Sequence, residues 1–176
     1  MKRIVLILAC VATVLAGLVL CLWLSTRPPK ETALLQNFRE HRVSFELLRE
    51  MLQADTNLNR LATWGVDTER KGISKPPDGN FSLERFNKYL ALMKEVGAGM
   101  VGRSDDNASI GLWASGFGGD IVHIKISWEK QAPTRQVASL QQYYRDHKAP
   151  PGNDWIYQHI EGNWYLCTDL WSTSRK

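Results

Sequence analysis

The stretch DIVHIKISW, Asp120–Trp128, alternates apolar and polar side chains from one end to the other. Val122, Ile124, Ile126 and Trp128 fall on one side, and Ile121, His123, Lys125 and Ser127 on the other. A strand turns its side chains to the same face every second residue, so this pattern marks an antiparallel strand with one buried face. The same period returns near the C-terminus. Residues 155–160 and 164–171 flank Glu161-Gly162-Asn163, where glycine relieves the cost of a positive φ in a tight turn. Trp164, Leu166, Thr168 and Leu170 would share one face of that hairpin, and Tyr165, Cys167, Asp169 and Trp171 the other. A further hairpin is expected from 100–103 and 109–115 around Ser104-Asp105-Asp106-Asn107, and a short strand at 61–67.

Helical periods separate these strands. Leu34, Phe38, Phe45, Leu48 and Leu52 predict one long helix over 31–54, with His41 and Arg42 interrupting its apolar stripe. Leu83, Phe86, Leu90 and Met93 predict a second at 82–96, begun by a Ser82 cap and stopped at Gly97. Val137, Leu140 and Tyr144 predict a shorter one after Thr134. Residues 68–80 and 147–154 are rich in Gly, Pro and polar side chains and read as connections. The expected fold class is α+β: an antiparallel sheet of about five strands, with two or three helices packed mainly on one face.

Ahead of this domain, Ile4–Leu24 contains no charged residue and is 21 residues long. A helix of roughly 20 apolar residues crosses a hydrocarbon core of about 30 Å. Trp23 stands where an interfacial ring belongs, and Pro28-Pro29 ends the run. A cleaved signal peptide has a shorter apolar region and a small-residue cleavage site, which Leu-Trp-Leu-Ser does not offer. The division expected is a membrane anchor at 1–26 and a domain at 27–176. Lys2 and Arg3 before the span orient the N-terminus to the cytoplasm. The expected placement is a single-pass membrane protein with its C-terminal domain extracytoplasmic, in the cell inner membrane if the source is bacterial.

Setting aside Lys2 and Arg3 lowers the net charge from +4 to +2, and no Lys/Arg run offers the basic stripe of a nucleic-acid footprint. Cys10 and Cys21 lie in the apolar run, which leaves Cys167 alone in the domain. Its simplest role is a buried thiol on a strand; pairing with a second chain is the alternative.

Catalytic groups are sparse. His123, His159, Cys167 and Asp169 are the set from which a small envelope hydrolase would be built, Cys167 and His159 meeting across the last hairpin. That pairing depends on register, and a slip of one residue moves a side chain to the other face. There is no HExxH, CxxC or calcium-loop spacing, so neither metal nor cofactor is expected. Asp105-Asp106 reads as a turn, and Gly116-Phe117-Gly118-Gly119 lacks the GK[ST] end of a phosphate loop.

Tryptophan is the unusual component. Six of the seven lie beyond residue 27, each with an N–H that needs a partner when buried. A Trp-rich core is one reading; anchors at an interface are the other. Trp113, alternating away from Ile110, Leu112 and Ala114, is expected as a partner contact, with Phe117 extending the apolar area and Trp155 second. A non-enzymatic, membrane-anchored module for binding a protein partner is favoured, as an inhibitor, an immunity-type protein or an envelope scaffold.

Overall fold

The computed structural model describes Val14, Gly17 and residues 28–68, 81–117, 120–146 and 155–172. Side chains of 115–121 and 170–172 are outside that description. The chain runs α1 (Glu31–Glu40), α2 (Arg42–Ala54), β1 (Arg60–Ala62), β2 (Gly65–Asp67), α3 (Leu83–Val96), β3 (Met100–Ser104) and β4 (Asn107–Phe117). It continues through β5 (Asp120–Trp128), β6 (Gln136–Val137), α4 (Leu140–Asp146), β7 (Ile156–Glu161) and β8 (Trp164–Ser172). All eight strands join one sheet in the order β2-β1-β3-β4-β5-β8-β7-β6. Every neighbouring pair is antiparallel except β6 and β7, which run parallel.

The alternation of β5 is what gives this sheet an inner and an outer face. Ile126 pairs with Ile110 of β4 and Leu166 of β8, and all three are buried beneath the helices. Trp164, Ile156, Val101, Leu61 and Val66 extend the same apolar layer. Phe38 of α1, Phe45, Leu48 and Leu52 of α2, and Tyr89 and Met93 of α3 close over it. The helices carry apolar side chains on one side and charges on the other, so burying that side is the main stabilising term.

Trp164 is the centre of the layer. Its ring centroid lies 5.4 Å from Phe38 and 6.1 Å from Phe45, and its Nε1–H donates to Glu46 Oε1 at 3.0 Å. Arg42 lies over the indole, bonds Glu46, and reaches Glu161 beyond the β7–β8 turn at 2.5 Å. Burial by itself would raise the Glu46 carboxyl, but hydrogen bonds from Arg49, Trp164 and Arg42 outweigh it and hold the group below the usual carboxylate range. A folded-state pKa below the unfolded one adds stability above the unfolded value, and that stability is lost as pH falls through the folded value. Glu46→Gln is therefore expected to destabilise the fold near about pH 7 and to lose that effect towards about pH 3. Urea midpoints of both proteins across this range check it; a gap that stays constant with pH rules the contribution out.

Helix α3 begins and ends as its sequence dictates. Ser82 Oγ accepts the Arg85 N–H at 3.1 Å, and Gly97 takes φ 69° beyond the last turn. At the end of α2, Asp55 Oδ2 accepts from Arg85 Nε and from the Tyr89 hydroxyl, each at 2.8 Å. That carboxylate ties α2 to α3. Glu31 performs the same service at the other end of the domain, accepting from Gln158 on β7 and from Ser139 and the Gln141 N–H beside α4.

Several expectations are corrected. The sheet has eight strands among the described residues, not about five, and it is mixed because β6 joins β7 in parallel. Strands of two and three residues are too short to show a period of two. The stretch 61–67 is not one strand but the β1–β2 hairpin, turning at Thr63-Trp64. The helix expected over 31–54 is two, broken at His41, whose φ of −111° and ψ of 27° leave the helical region. The described helices number four, rather than two or three. Residues 69–80 and 147–154, read as connections, lie outside the described residues.

The membrane reading is corrected as well. Among the described residues no helix is long and apolar enough to cross a membrane. The longest, α3, has 14 residues and rises only about 21 Å, against roughly 30 Å of hydrocarbon. The anchor expected at 4–24 lies outside the described residues apart from Val14 and Gly17. The inner-membrane localisation, the extracytoplasmic placement and the membrane-borne binding module depended on that anchor, and they are withdrawn with it.

Candidate ligand cleft on the outer face

Alternation sends His123, Lys125 and Ser127 of β5, Tyr157 and His159 of β7, and Tyr165, Cys167 and Asp169 of β8 to the face turned away from the helices. The registers then set them in rows. His123 stands opposite Asp169, Lys125 opposite Cys167, and Ser127 opposite Tyr165. On the other side of β8, Cys167 faces Tyr157 and Tyr165 faces His159. Trp155, the residue before β7, completes the array.

These side chains are tied to one another. His123 Nδ1 shares a 2.8 Å hydrogen bond with Asp169 Oδ1, which also accepts the His123 backbone N–H at 3.3 Å. Lys125 Nζ lies 3.7 Å from the centroid of the Trp155 ring, a cation–π contact. Ser127 Oγ donates to Glu129 Oε1 at 2.5 Å. Tyr165 makes edge-to-face contacts with Tyr157 and with His159. His159 Nε2 itself bonds Gly162 O at 2.9 Å.

Beyond β5 the chain leaves the sheet and returns as β6, and the segment between forms one wall of a cleft of about 420 Å³. Glu129, Gln131, Pro133, Thr134, Arg135, Trp155 and Tyr157 line it. Two backbone bonds hold the walls: Glu129 N–H donates to Asn163 O at 2.9 Å, and Tyr157 N–H to Arg135 O at 3.0 Å. Glu129 is only 9% exposed, so its carboxylate is largely withdrawn from bulk water. Burial also pushes the Tyr157 phenol well above its ordinary range.

No protein-family model, curated protein or solved structure matches this chain. The reading of the site therefore depends on its own chemistry.

The four residues considered for catalysis share the outer face but do not all converge. His123 and Asp169 meet, but Cys167 is fully buried and its thiol bonds Lys125 O and Ser127 Oγ, both at 3.5 Å, with no histidine among its partners. Burial pushes that thiol up to about 11, which keeps it neutral, and the thiolate is the nucleophilic form. His159 lies at the turn end of the array, bonded to Gly162 O. Among the described residues no three His, Cys, Asp or Glu side chains are grouped as a metal would require.

Of the aromatic contacts expected, Trp155 lines the cleft. Trp113 stands at an irregularity of the sheet. A bulge between Gly111 and Trp113 leaves Leu112 without a β5 partner and sets Trp113 opposite Ile124, which packs against the core. The alternation assumed from Ile110 to Ala114 is interrupted there, and Trp113 is half-buried. The Phe117 side chain lies outside the described residues. The expected protein partner is withdrawn with the membrane-borne module to which it belonged.

Sequence reasoning missed Lys125, Glu129, Arg135 and Tyr157. Lys125 and Tyr157 were legible, since each shares a row with residues already singled out. Glu129 and Arg135 follow a strand end and carry no periodic signal.

Proposed function

We propose that this protein binds a small polar organic molecule in the cleft between residues 129–135 and β7, and that it does so without catalysing a reaction. The observation that carries this reading is the lining. Two aromatic rings, Trp155 and Tyr157, share one cleft with Glu129, Arg135 and Thr134. Ligand sites commonly combine apolar walls with a few placed polar groups, in volumes of about 300–1,000 Å³. The outer face favours binding over chemistry because its nucleophiles are already engaged. Cys167 is buried and neutral, and the Ser127 hydroxyl is given to Glu129.

Titration of ¹⁵N-labelled full-length protein with a panel of amino acids, sugars, amines, carboxylic acids and nucleosides tests the reading. At least one compound is expected to shift the Trp155 indole N–H together with amides of 129–135. Trp155→Ala should weaken that compound by about 2 kcal/mol, roughly thirtyfold, while the variant stays folded. A panel that leaves the Trp155 signal unmoved, or a ligand that W155A binds at full affinity, removes the cleft from consideration.

A further inference from the structure

The charges of the cleft narrow its ligand, and this step depends on the ligand-binding reading above. The wall residues include one carboxylate, Glu129, and one guanidinium, Arg135. An anion alone would meet the Glu129 carboxylate, which is nearly withdrawn from water and repels more strongly for that reason. A cation alone would meet Arg135 and the ammonium of Lys125, already seated against Trp155. A molecule carrying both charges offers each group an opposite charge. Its ammonium would be drawn to Glu129 and to the aromatic rings, and its carboxylate would match the planar fork of an arginine.

The Lys125–Trp155 contact, at 3.7 Å, shows that an alkylammonium fits against this indole. Ser127 Oγ holds one oxygen of Glu129, which fixes the direction of the carboxylate before any ligand arrives. Pro133, Trp155 and Tyr157 supply apolar surface in the same cleft. We infer that the cleft takes a zwitterionic α-amino acid with an apolar side chain, its ammonium recognised by Glu129 and its carboxylate by Arg135.

The test compares L-phenylalanine with phenethylamine and 3-phenylpropionate, which keep the ring and only one charge each. The Trp155 indole N–H of the full-length chain is the readout. L-phenylalanine is expected to bind at least about tenfold more tightly than either analogue, an advantage of about 1.4 kcal/mol. Glu129→Gln, which still accepts from Ser127, should reduce L-phenylalanine to the affinity of 3-phenylpropionate and leave 3-phenylpropionate no weaker than before. Arg135→Gln should reduce it to the affinity of phenethylamine. Thermal midpoints near that of the unaltered protein establish that both variants fold. An analogue that binds as tightly as L-phenylalanine overturns the inference, as does unchanged L-phenylalanine affinity in both folded variants. If sugars or nucleosides shift Trp155 and amino acids do not, this inference fails and the ligand cleft stands. If nothing in the panel shifts Trp155, both fail.

Discussion

Trp164→Ala is expected to remove about 3–5 kcal/mol of folding stability, the range for truncating a fully buried tryptophan. Trp164 is 1% exposed, and both Phe38 and Phe45 lean on its ring, so the cavity opens where three elements meet. The loss also frees Glu46 from its indole partner and Arg42 from the ring it covers. A domain of this size has about 5–15 kcal/mol in total, so the variant should be largely unfolded in moderate urea and melt on the order of 10 °C lower. Trp164→Phe separates the two contributions. It keeps an aromatic ring in the layer but loses the N–H, and should cost only about 1–2 kcal/mol. Urea denaturation followed by far-UV circular dichroism measures both. An alanine variant within about 0.5 kcal/mol of the unaltered protein would show that Trp164 is not the keystone described above.

The second large effect is at Asp55. One oxygen of this carboxylate accepts from both Arg85 and Tyr89, and Tyr89 is fully buried. Asp55→Ala leaves a buried hydroxyl and a half-buried guanidinium without their acceptor, at a cost of about 2–4 kcal/mol. Tyr89→Phe removes one donor and should cost about 1 kcal/mol. The double variant D55A/Y89F is expected to lose less than the sum of the two, because the orphaned hydroxyl is gone. Strict additivity in urea midpoints would mean that the pair does not act as a unit.

Both predictions rest on features that were unevenly legible. Helix α3 was readable because its boundaries are chemical: a serine that accepts an N–H at one end and a glycine that takes positive φ at the other. The β7–β8 hairpin was readable for a similar reason, with Gly162 at φ 52° and clean alternation through β8. The irregularity beside Trp113 was not legible, because a bulge is a property of two strands and β4 alone does not reveal where β5 will skip a residue. The break at His41 is likewise compatible with a continuous helix until α1 and α2 must both reach Trp164. Within the cleft, Trp155 was singled out from sequence, whereas Glu129 and Arg135 were not. Arg135 reaches it through the parallel pairing of β6 with β7, which a two-residue strand does not announce, and Glu129 is held there by its N–H bond to Asn163 O.

Local periodicity and capping thus determined that this chain makes amphipathic helices and half-buried strands, and which side of β5 and β8 would be apolar. Those properties depend on neighbours within a few residues, so the sequence by itself contains them. The tertiary structure decided the number and order of strands, the mixed direction of the sheet, the bulge beside Trp113 and the meeting of Glu129, Arg135, Trp155 and Tyr157. Each of these arises from pairing between distant segments, where many registers are sterically open and only the burial of the whole core selects among them.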